Sequence, residues 1–245
     1  MQKALISSRN KYNTSPVGLA FDPTAPKGPT EIYQDFTFGT SLELDLHHHH
    51  LLHSDNEQEV LLGIYSTIYW SQYAFLSAEE RPGTIDKFLA LLPPAISVIK
   101  PAVAAAAMKN AITDLSHKHH ALALIEVSKL LRSSLSTASI ILAFLDPENI
   151  GVFDDRLITL LTSGEWNLFL GDEICTALAR PQTETLNDAA KRFGLYCTVL
   201  EKIKHRVNQS RIGWKDPTGS QMLRFRSIDV QRALNAMGTV SEQTY

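Results

Sequence analysis

The stretch Leu130–Leu161 constrains the fold most, because apolar helical runs alternate there with short polar breaks. Apolar residues recur every three to four positions over His119–Arg132, which predicts an amphipathic helix. A second helix follows, apolar on nearly every side, and the pair Asp146-Pro147 ends it. The polar break and the first turn of this second helix contain Ser133, Ser134, Ser136 and Thr137.

Two adjacent carboxylates, Asp154 and Asp155, open a third helix directly after the apolar pair Val152-Phe153. Acidic residues in a first turn complement the helix dipole, so helix capping is one explanation of the pair. The same layout can also aim one carboxylate at a DNA backbone. Both interpretations remain open at this point.

These residues resemble the core of the helix-hairpin-helix DNA glycosylase superfamily, which contains endonuclease III and 8-oxoguanine DNA glycosylase, and especially its divergent bacterial-type members. In that family a hairpin of the form L-P-G-x-G-x-K-T-A precedes an apolar helix, a loop and a catalytic aspartate. Placing Thr137-Ala138 on the family's T-A puts Asp154 on the aspartate. The resemblance implies an all-α, two-lobed helical bundle that flips a damaged or modified base out of double-stranded DNA and excises it. Asp155 is the fallback carboxylate.

Three positions depart from the family pattern. The hairpin glycines fall on Arg132 and Ser134, which requires non-glycine residues in a tight turn. The lysine position holds Ser136, which has no amine for a Schiff base, so the resemblance implies a monofunctional enzyme. Cys175 and Cys197 are too few to ligate an iron–sulfur cluster, and no cofactor is expected.

The resemblance also assigns roles to residues other than the catalytic aspartate. Hairpin residues would hold a phosphate, and Gln72, at a helix end with an S-x-Q-like pattern, would fill the gap left by the flipped base. Aromatic residues would line the base pocket, although packing in the core is the alternative for two of them. The hairpin residues are Ser133, Ser134, Ser136 and Thr137, and the pocket residues are Trp70, Tyr73 and Trp214, of which Trp70 and Trp214 carry the core alternative.

Charge is distributed unevenly along the 245 residues, whose net charge is −3. Residues 191–232 hold ten Lys or Arg against three acidic residues, a net of +7 that leaves −10 elsewhere. This segment is the predicted source of DNA phosphate contacts, and a merely solvated face is the alternative. The contacts are assigned to Lys202, Arg206, Arg211 and Lys215.

The chain organisation predicted from composition has three parts. Residues 1–53, rich in proline and glycine, are expected to form an extended arm with a short strand within Ile32–Phe38. Residues 54–240 form the helical glycosylase-like domain, opened by a capping box at Ser54–Glu57, and residues 241–245 form a tail. The closing motif Arg226–Leu234, with Ser227 as its cap, is expected to be structural. We expect an intracellular protein, cytoplasmic or nuclear, because only two cysteines, no leader and no membrane span are visible.

The histidines form two clusters, His47–His50 with His53, and His117, His119 and His120. Four consecutive histidines cannot converge on one ion, and no zinc-binding spacing accompanies them. A solvated polar turn without metal is therefore predicted. Two functions compete with the glycosylase: a non-catalytic DNA- or partner-binding module on the same scaffold, and a metal-dependent helical enzyme that uses these histidines.

Overall fold

The computed structural model describes residues 2–12, 14–21, 33–82, 85–132, 135–179, 181, 183–209, 213–216, 218–219 and 221–242. These residues form thirteen α-helices, one short 3₁₀ turn and two antiparallel strand pairs, so the all-α prediction is confirmed. The first elements are α1 (Gln2–Lys11), β1 (Val17–Phe21), β2 (Tyr33–Thr37), α2 (Ser41–Leu52), α3 (Glu57–Tyr73), the 3₁₀ turn Ala78–Glu80, α4 (Ile85–Leu91), α5 (Pro94–Ser97) and α6 (Pro101–Ser116). They are followed by α7 (His120–Leu131), α8 (Leu135–Leu145), α9 (Asp155–Leu161), α10 (Gly164–Leu170), α11 (Asp172–Leu178), α12 (Leu186–Asn208), β3 (Trp214–Lys215), β4 (Met222–Leu223) and α13 (Ser227–Glu242).

The first fifty-three residues differ from the predicted extended arm, because they contain α1, a strand pair and α2. Helix α1 packs along α13 and buries Leu5 and Arg9. Strands β1 and β2 pair with Val17 opposite Thr37, which confirms the short strand expected within Ile32–Phe38. Part of the proline- and glycine-rich sequence from which the arm was inferred, residues 22–32, lies outside the described residues.

Helix α3 lies at the centre of the core, with every residue from Val60 to Trp70 buried. Gly63 permits the close approach of α2, since a Cβ there would lie 3.0 Å from the Leu51 Cβ. The cap of α3 differs from the predicted capping box. Asn56 is the N-cap residue, and its side chain accepts a hydrogen bond of 2.9 Å from the Gln58 N–H.

A buried cluster of charges joins α1, α2 and α13, and its residues are Arg9, Asp45, Arg226, Asp229 and Arg232. Arg9 Nη2 lies 3.0 Å from Asp229 Oδ1, and Arg232 Nη2 lies 2.6 Å from Asp45 Oδ1. Arg226 contacts both carboxylates, with Nη2 2.7 Å from Asp45 Oδ2 and Nε 2.8 Å from Asp229 Oδ2. Burial alone would raise the pKa of Asp229, but Arg226 and Arg9 outweigh it and lower that pKa to about 2. The closing motif is thus structural.

The start of α13 differs from the prediction that Ser227 caps this helix. The Ser227 hydroxyl has no hydrogen-bond partner among the described residues, whereas Asp229 Oδ2 accepts from the Arg226 N–H at 3.2 Å. Asp229 therefore satisfies the helix start in place of Ser227.

Helix length and apolarity were compared with the requirement for crossing a membrane. Among the described residues, no single helix is both long and apolar enough to cross a bilayer, and the bent pair α7 and α8 meets the test by length and composition only.

Candidate functional site

The described residues on either side of the break between α7 and α8 include one with left-handed backbone geometry. Arg132 ends α7 in the left-handed region, with φ 46° and ψ 36°, and the helix direction changes by 117° across the break. This is the position that the family alignment assigns to a hairpin glycine. Ser133 and Ser134, predicted to hold a phosphate, lie outside the described residues.

Replacing Arg132 by glycine should stabilise the protein. A non-glycine residue in the left-handed region is strained by roughly 1 kcal/mol, and the Arg132 side chain is exposed, so its removal loses little packing. We expect Arg132→Gly to raise the free energy of unfolding by up to about 1 kcal/mol, measured by urea denaturation. Lys129→Gly, at an exposed position within α7, is the matched control and should lower it by about 1 kcal/mol. Destabilisation by Arg132→Gly would contradict strain at this turn.

The fully buried hydroxyl of Ser139 connects the first turn of α8 to the loop that carries Asp154. It donates a hydrogen bond of 2.7 Å to the Ser136 carbonyl and accepts one of 2.9 Å from the Phe153 N–H. Ser136 is the residue at the family's lysine position, and Phe153 immediately precedes Asp154. The first turn of α8 and the predicted catalytic carboxylate are therefore held next to each other.

Loss of this hydroxyl should destabilise the loop. In Ser139→Ala the buried Phe153 N–H loses its acceptor, and an unsatisfied buried donor costs about 1 to 3 kcal/mol. We expect the free energy of unfolding, measured by urea denaturation followed by circular dichroism, to fall by that amount. Ser7→Ala, at an exposed serine within α1, should change it by less than about 0.5 kcal/mol. Equal stabilities of the two variants would show that Ser139 does not hold the loop.

Asp154 is half-buried and is the N-cap residue of α9. Its Oδ1 accepts a hydrogen bond of 2.8 Å from the Arg156 N–H, which confirms the capping interpretation. No described residue forms a hydrogen bond with Oδ2. One carboxylate oxygen thus fixes the side chain while the other is left for a different partner. Capping and a functional role are compatible in this geometry.

Helix α12 holds the same loop from the opposite side. The Tyr196 hydroxyl donates to the Val152 carbonyl at 2.9 Å, and burial, with smaller contributions from Cys197 and Asp154, raises the Tyr196 pKa well above its usual value. The hydroxyl is therefore protonated and donates at any ordinary pH. The loop before Asp154 is tied on one side to α8 and on the other to α12.

Arg192 adds a second contact from α12. It forms a bidentate pair with Glu184 at 2.7 and 2.8 Å, and its guanidinium carbon lies 4.8 Å from the centre of the Phe153 ring. Its Nη1 lies 3.6 Å from Oδ1 of Asp155, which is exposed. The fallback carboxylate is therefore engaged with an arginine, in contrast to Asp154.

The predicted site residues at the end of α3 lie away from Asp154. Trp70 is buried, with its ring 5.0 Å from that of Phe144 near the C-terminal end of α8, whereas the hairpin turn is at the other end of α8, about 14 Å away by helix rise. Tyr73 is half-buried beside Tyr69, and Gln72 is exposed. The core alternative for Trp70 is confirmed, and the structure does not bring it to Asp154.

Trp214 is also a core side chain, only 2% exposed, with the Arg9 guanidinium 3.8 Å from the centre of its ring. In this structure neither Trp70 nor Trp214 presents an open ring on which a base can stack. Lys215 is exposed beside Trp214, on a groove formed with α1 and not with α9.

The basic segment is less available to DNA than its composition suggests. Four of its cations are engaged in internal ion pairs, namely Arg192, Lys204, Arg226 and Arg232. Lys202 and Arg206 are exposed on the C-terminal half of α12. They lie about 15 and 21 Å along the helix from Arg192. Arg211 lies outside the described residues. The basic segment thus supplies little free positive charge near Asp154.

The histidine tract corrects another expectation, because His47–His50 lie within α2 and not in a solvated turn. His48 is fully buried, with Nε2 2.9 Å from the Ser66 hydroxyl, and burial lowers its pKa to about 3, so the ring is neutral. His49, His53 and His120 line a cavity of about 300 Å³. Among the described residues, no group of three or more His, Cys, Asp or Glu side chains is placed to hold a metal ion.

Comparison with known proteins gave no match to any family model, curated protein or solved structure. The assignment of a function therefore depends on the residues and geometry described above.

Proposed function

We propose that this protein is a monofunctional DNA N-glycosylase of the helix-hairpin-helix type. The observation that carries the proposal is the placement of Asp154, which stands half-exposed at the start of α9 with Oδ2 unbonded to described residues. Ser139 holds the loop that carries this residue beside the first turn of α8. A carboxylate fixed beside the turn that the proposal assigns to phosphate binding suits stabilisation of positive charge on the sugar of an extruded nucleotide.

The chemistry follows from the charge on that carboxylate. As the N-glycosidic bond of an extruded nucleotide breaks, positive charge develops on the deoxyribose, and ionised Asp154 would stabilise it or orient a water molecule toward C1′. The base leaves with the bonding electron pair and takes up a proton, and water supplies the hydroxyl at C1′. Ser136, at the family's lysine position, has no amine to form a Schiff base, so strand cleavage by that route is not expected.

Binding of the duplex would combine the backbone at the hairpin turn with cations on α12. Ser136 is exposed and Thr137 half-exposed at the start of α8, while Lys202 and Arg206 extend along α12. Neutralising even a few phosphates makes binding strongly dependent on salt concentration. In this proposal Gln72 fills the gap left by the flipped base and Tyr73 lines the base pocket. Both roles require the bound duplex to extend to the C-terminal end of α3.

The test is base release from a panel of duplexes, each carrying one damaged or modified base. We expect a free base and an abasic strand that breaks only after alkali treatment. An unmodified duplex is the substrate control. Strand cleavage without alkali would contradict the monofunctional assignment, and the absence of base release from every duplex would contradict the enzyme assignment.

The burial of Trp70 and Trp214 favours a second candidate, a non-catalytic DNA- or partner-binding module on the same scaffold, since neither ring is open to a flipped base. Salt-dependent duplex binding without base release would support this candidate. Absence of DNA binding at any salt concentration would point to a protein partner.

A further inference from the structure

A second region of the molecule has the features of an anion site. A groove of about 640 Å³ lies between the C-terminal end of α1, the N-terminal end of α2 and the β3–β4 pair. It is lined by Arg9, Lys11, Tyr12, Ser41, Trp214 and Lys215, among others. The Lys215 N–H donates to Asn10 Oδ1 at 3.0 Å, which holds the strand pair against α1. This hydrogen bond joins two of the elements that form the groove.

The charge beneath the groove is positive. The buried cluster contains three arginines, Arg9, Arg226 and Arg232, but only two carboxylates, Asp45 and Asp229. One positive charge is therefore left without a buried partner of opposite sign. Arg9 is the member of the cluster that lines the groove, so an anion bound there would offset this excess.

Unpartnered hydrogen-bond donors lie at the groove on two elements, α2 and β3. The backbone N–H groups of Ser41 and Leu42, the first two of α2, have no partner among the described residues, and α2 is twelve residues long. The buried indole N–H of Trp214, which lines the groove, is also unpartnered within the described chain. Helix N-termini bind anions through such N–H groups and through the helix dipole.

The exposed cations and the nearby acids strengthen this pattern. Lys11 and Lys215 are exposed, and neither forms an ion pair with a described residue. The carboxylate of Asp216 accepts hydrogen bonds from Thr218 and Gln221, and that of Glu43 accepts from the Gly39 N–H. Neither acid forms an ion pair with Lys11 or Lys215, and the three cations that line the groove, Arg9 included, outnumber the one carboxylate there, Asp216.

We propose that this groove binds a phosphate group of a nucleic acid strand. Four features match a phosphate: the α2 N-terminus, the Trp214 indole, the two lysines and the unbalanced Arg9 charge. The half-buried ring of Tyr12 adds a surface on which an adjoining base can stack. The choice of a nucleic acid as the source of the phosphate rests on the proposed function, whereas phosphate binding itself does not.

Nuclear magnetic resonance of the ¹⁵N-labelled full chain tests the site without an activity assay. The chain has three tryptophans, and Trp214→Phe identifies the indole resonance of Trp214. Inorganic phosphate and a short duplex are the two probes. We expect both to shift the Trp214 resonance, the duplex at a concentration at least tenfold lower than phosphate. The indole resonances of Trp70 and Trp166 are internal references.

Lysine variants test whether the shift arises in the groove. The double substitution Lys11→Ala and Lys215→Ala should weaken duplex binding at least tenfold and reduce the slope of log affinity against log salt by about 1 to 2. Both lysines are exposed, so folding should be unchanged. Lys109→Ala and Lys129→Ala, exposed on α6 and α7, together form the matched control and should leave binding near wild type.

The outcomes separate this site from the catalytic proposal. A shift with phosphate but not with the duplex would overturn the nucleic acid assignment, and no shift with either probe would overturn the site. A shift that persists when base release is absent from every substrate would leave the groove supported while the glycosylase fails.

Discussion

Asp154→Asn should lower the rate of base release by a hundredfold or more while leaving the fold intact. The amide keeps an oxygen that can accept the Arg156 N–H, so the cap on α9 is preserved. The negative charge that would oppose the developing charge on the deoxyribose is lost, and removal of one such electrostatic group typically costs about two to three orders of magnitude in rate. Single-turnover base release and the melting temperature are the two measurements.

Asp155→Asn is the matched control, because it makes the same chemical change at the next residue. Asp155 is exposed and lies near Arg192, so its variant should release base at close to the wild-type rate. The reverse result, with Asp155→Asn inactive and Asp154→Asn active, would transfer the role to the fallback carboxylate. Robust release by both variants would remove this acidic pair from the mechanism.

Asp45→Asn should have the largest effect on stability. Asp45 is 1% exposed and contacts Arg232 and Arg226 at 2.6 to 2.8 Å. Its loss leaves the buried guanidinium group of Arg232 without its carboxylate, whereas Arg226 keeps its contact with Asp229. Breaking a buried ion pair in this way costs about 3 to 5 kcal/mol. Since a typical domain is stable by only about 5 to 15 kcal/mol, we expect a large decrease in the urea concentration at the unfolding midpoint.

The effect of Asp45→Asn should also depend on pH. Burial alone would raise the Asp45 pKa, but Arg232 and Arg226 outweigh burial and lower it below the usual 3.8. Its stabilising contribution is therefore complete above the pKa of the unfolded chain and is lost as pH falls below that value. The difference between wild type and variant should be constant near neutral pH and should narrow below about pH 4.

Asp55→Asn, at an exposed aspartate, controls for the loss of one negative charge and should change stability by less than about 0.5 kcal/mol. A similarly small effect of Asp45→Asn would show that water or a rearranged arginine replaces the carboxylate. The cluster would then not be a buried ion network.

The helices around the candidate site could be predicted because their signals are local. Apolar spacing predicted a helix over His119–Arg132, and α7 spans His120–Leu131. The acidic pair predicted a helix start, and Asp154 caps α9. Each signal lies within one or two turns of the element it specifies, so one sequence is sufficient to detect it.

The buried charge cluster and the burial of single side chains could not be predicted, because they depend on contacts between distant parts of the chain. Arg232 pairs with Asp45 across 187 sequence positions, and Arg9 pairs with Asp229 across 220. A count of basic residues treats Arg232 as surface charge. The composition of segment 191–232 therefore predicted more phosphate contacts than its exposed residues can make. Burial of His48 and Trp214 arises in the same way, since it is set by packing partners that no local pattern reveals.

The bond between Tyr196 and Val152 and the bonds made by Ser139 leave the loop before Asp154 little freedom to move. A carboxylate anchored in this manner cannot travel to meet its target. In a reaction on DNA, the target nucleotide must therefore rotate out of the double helix to reach Asp154. Discrimination between bases would then depend on how readily each base unstacks and on the side chains that contact it after it has left the helix.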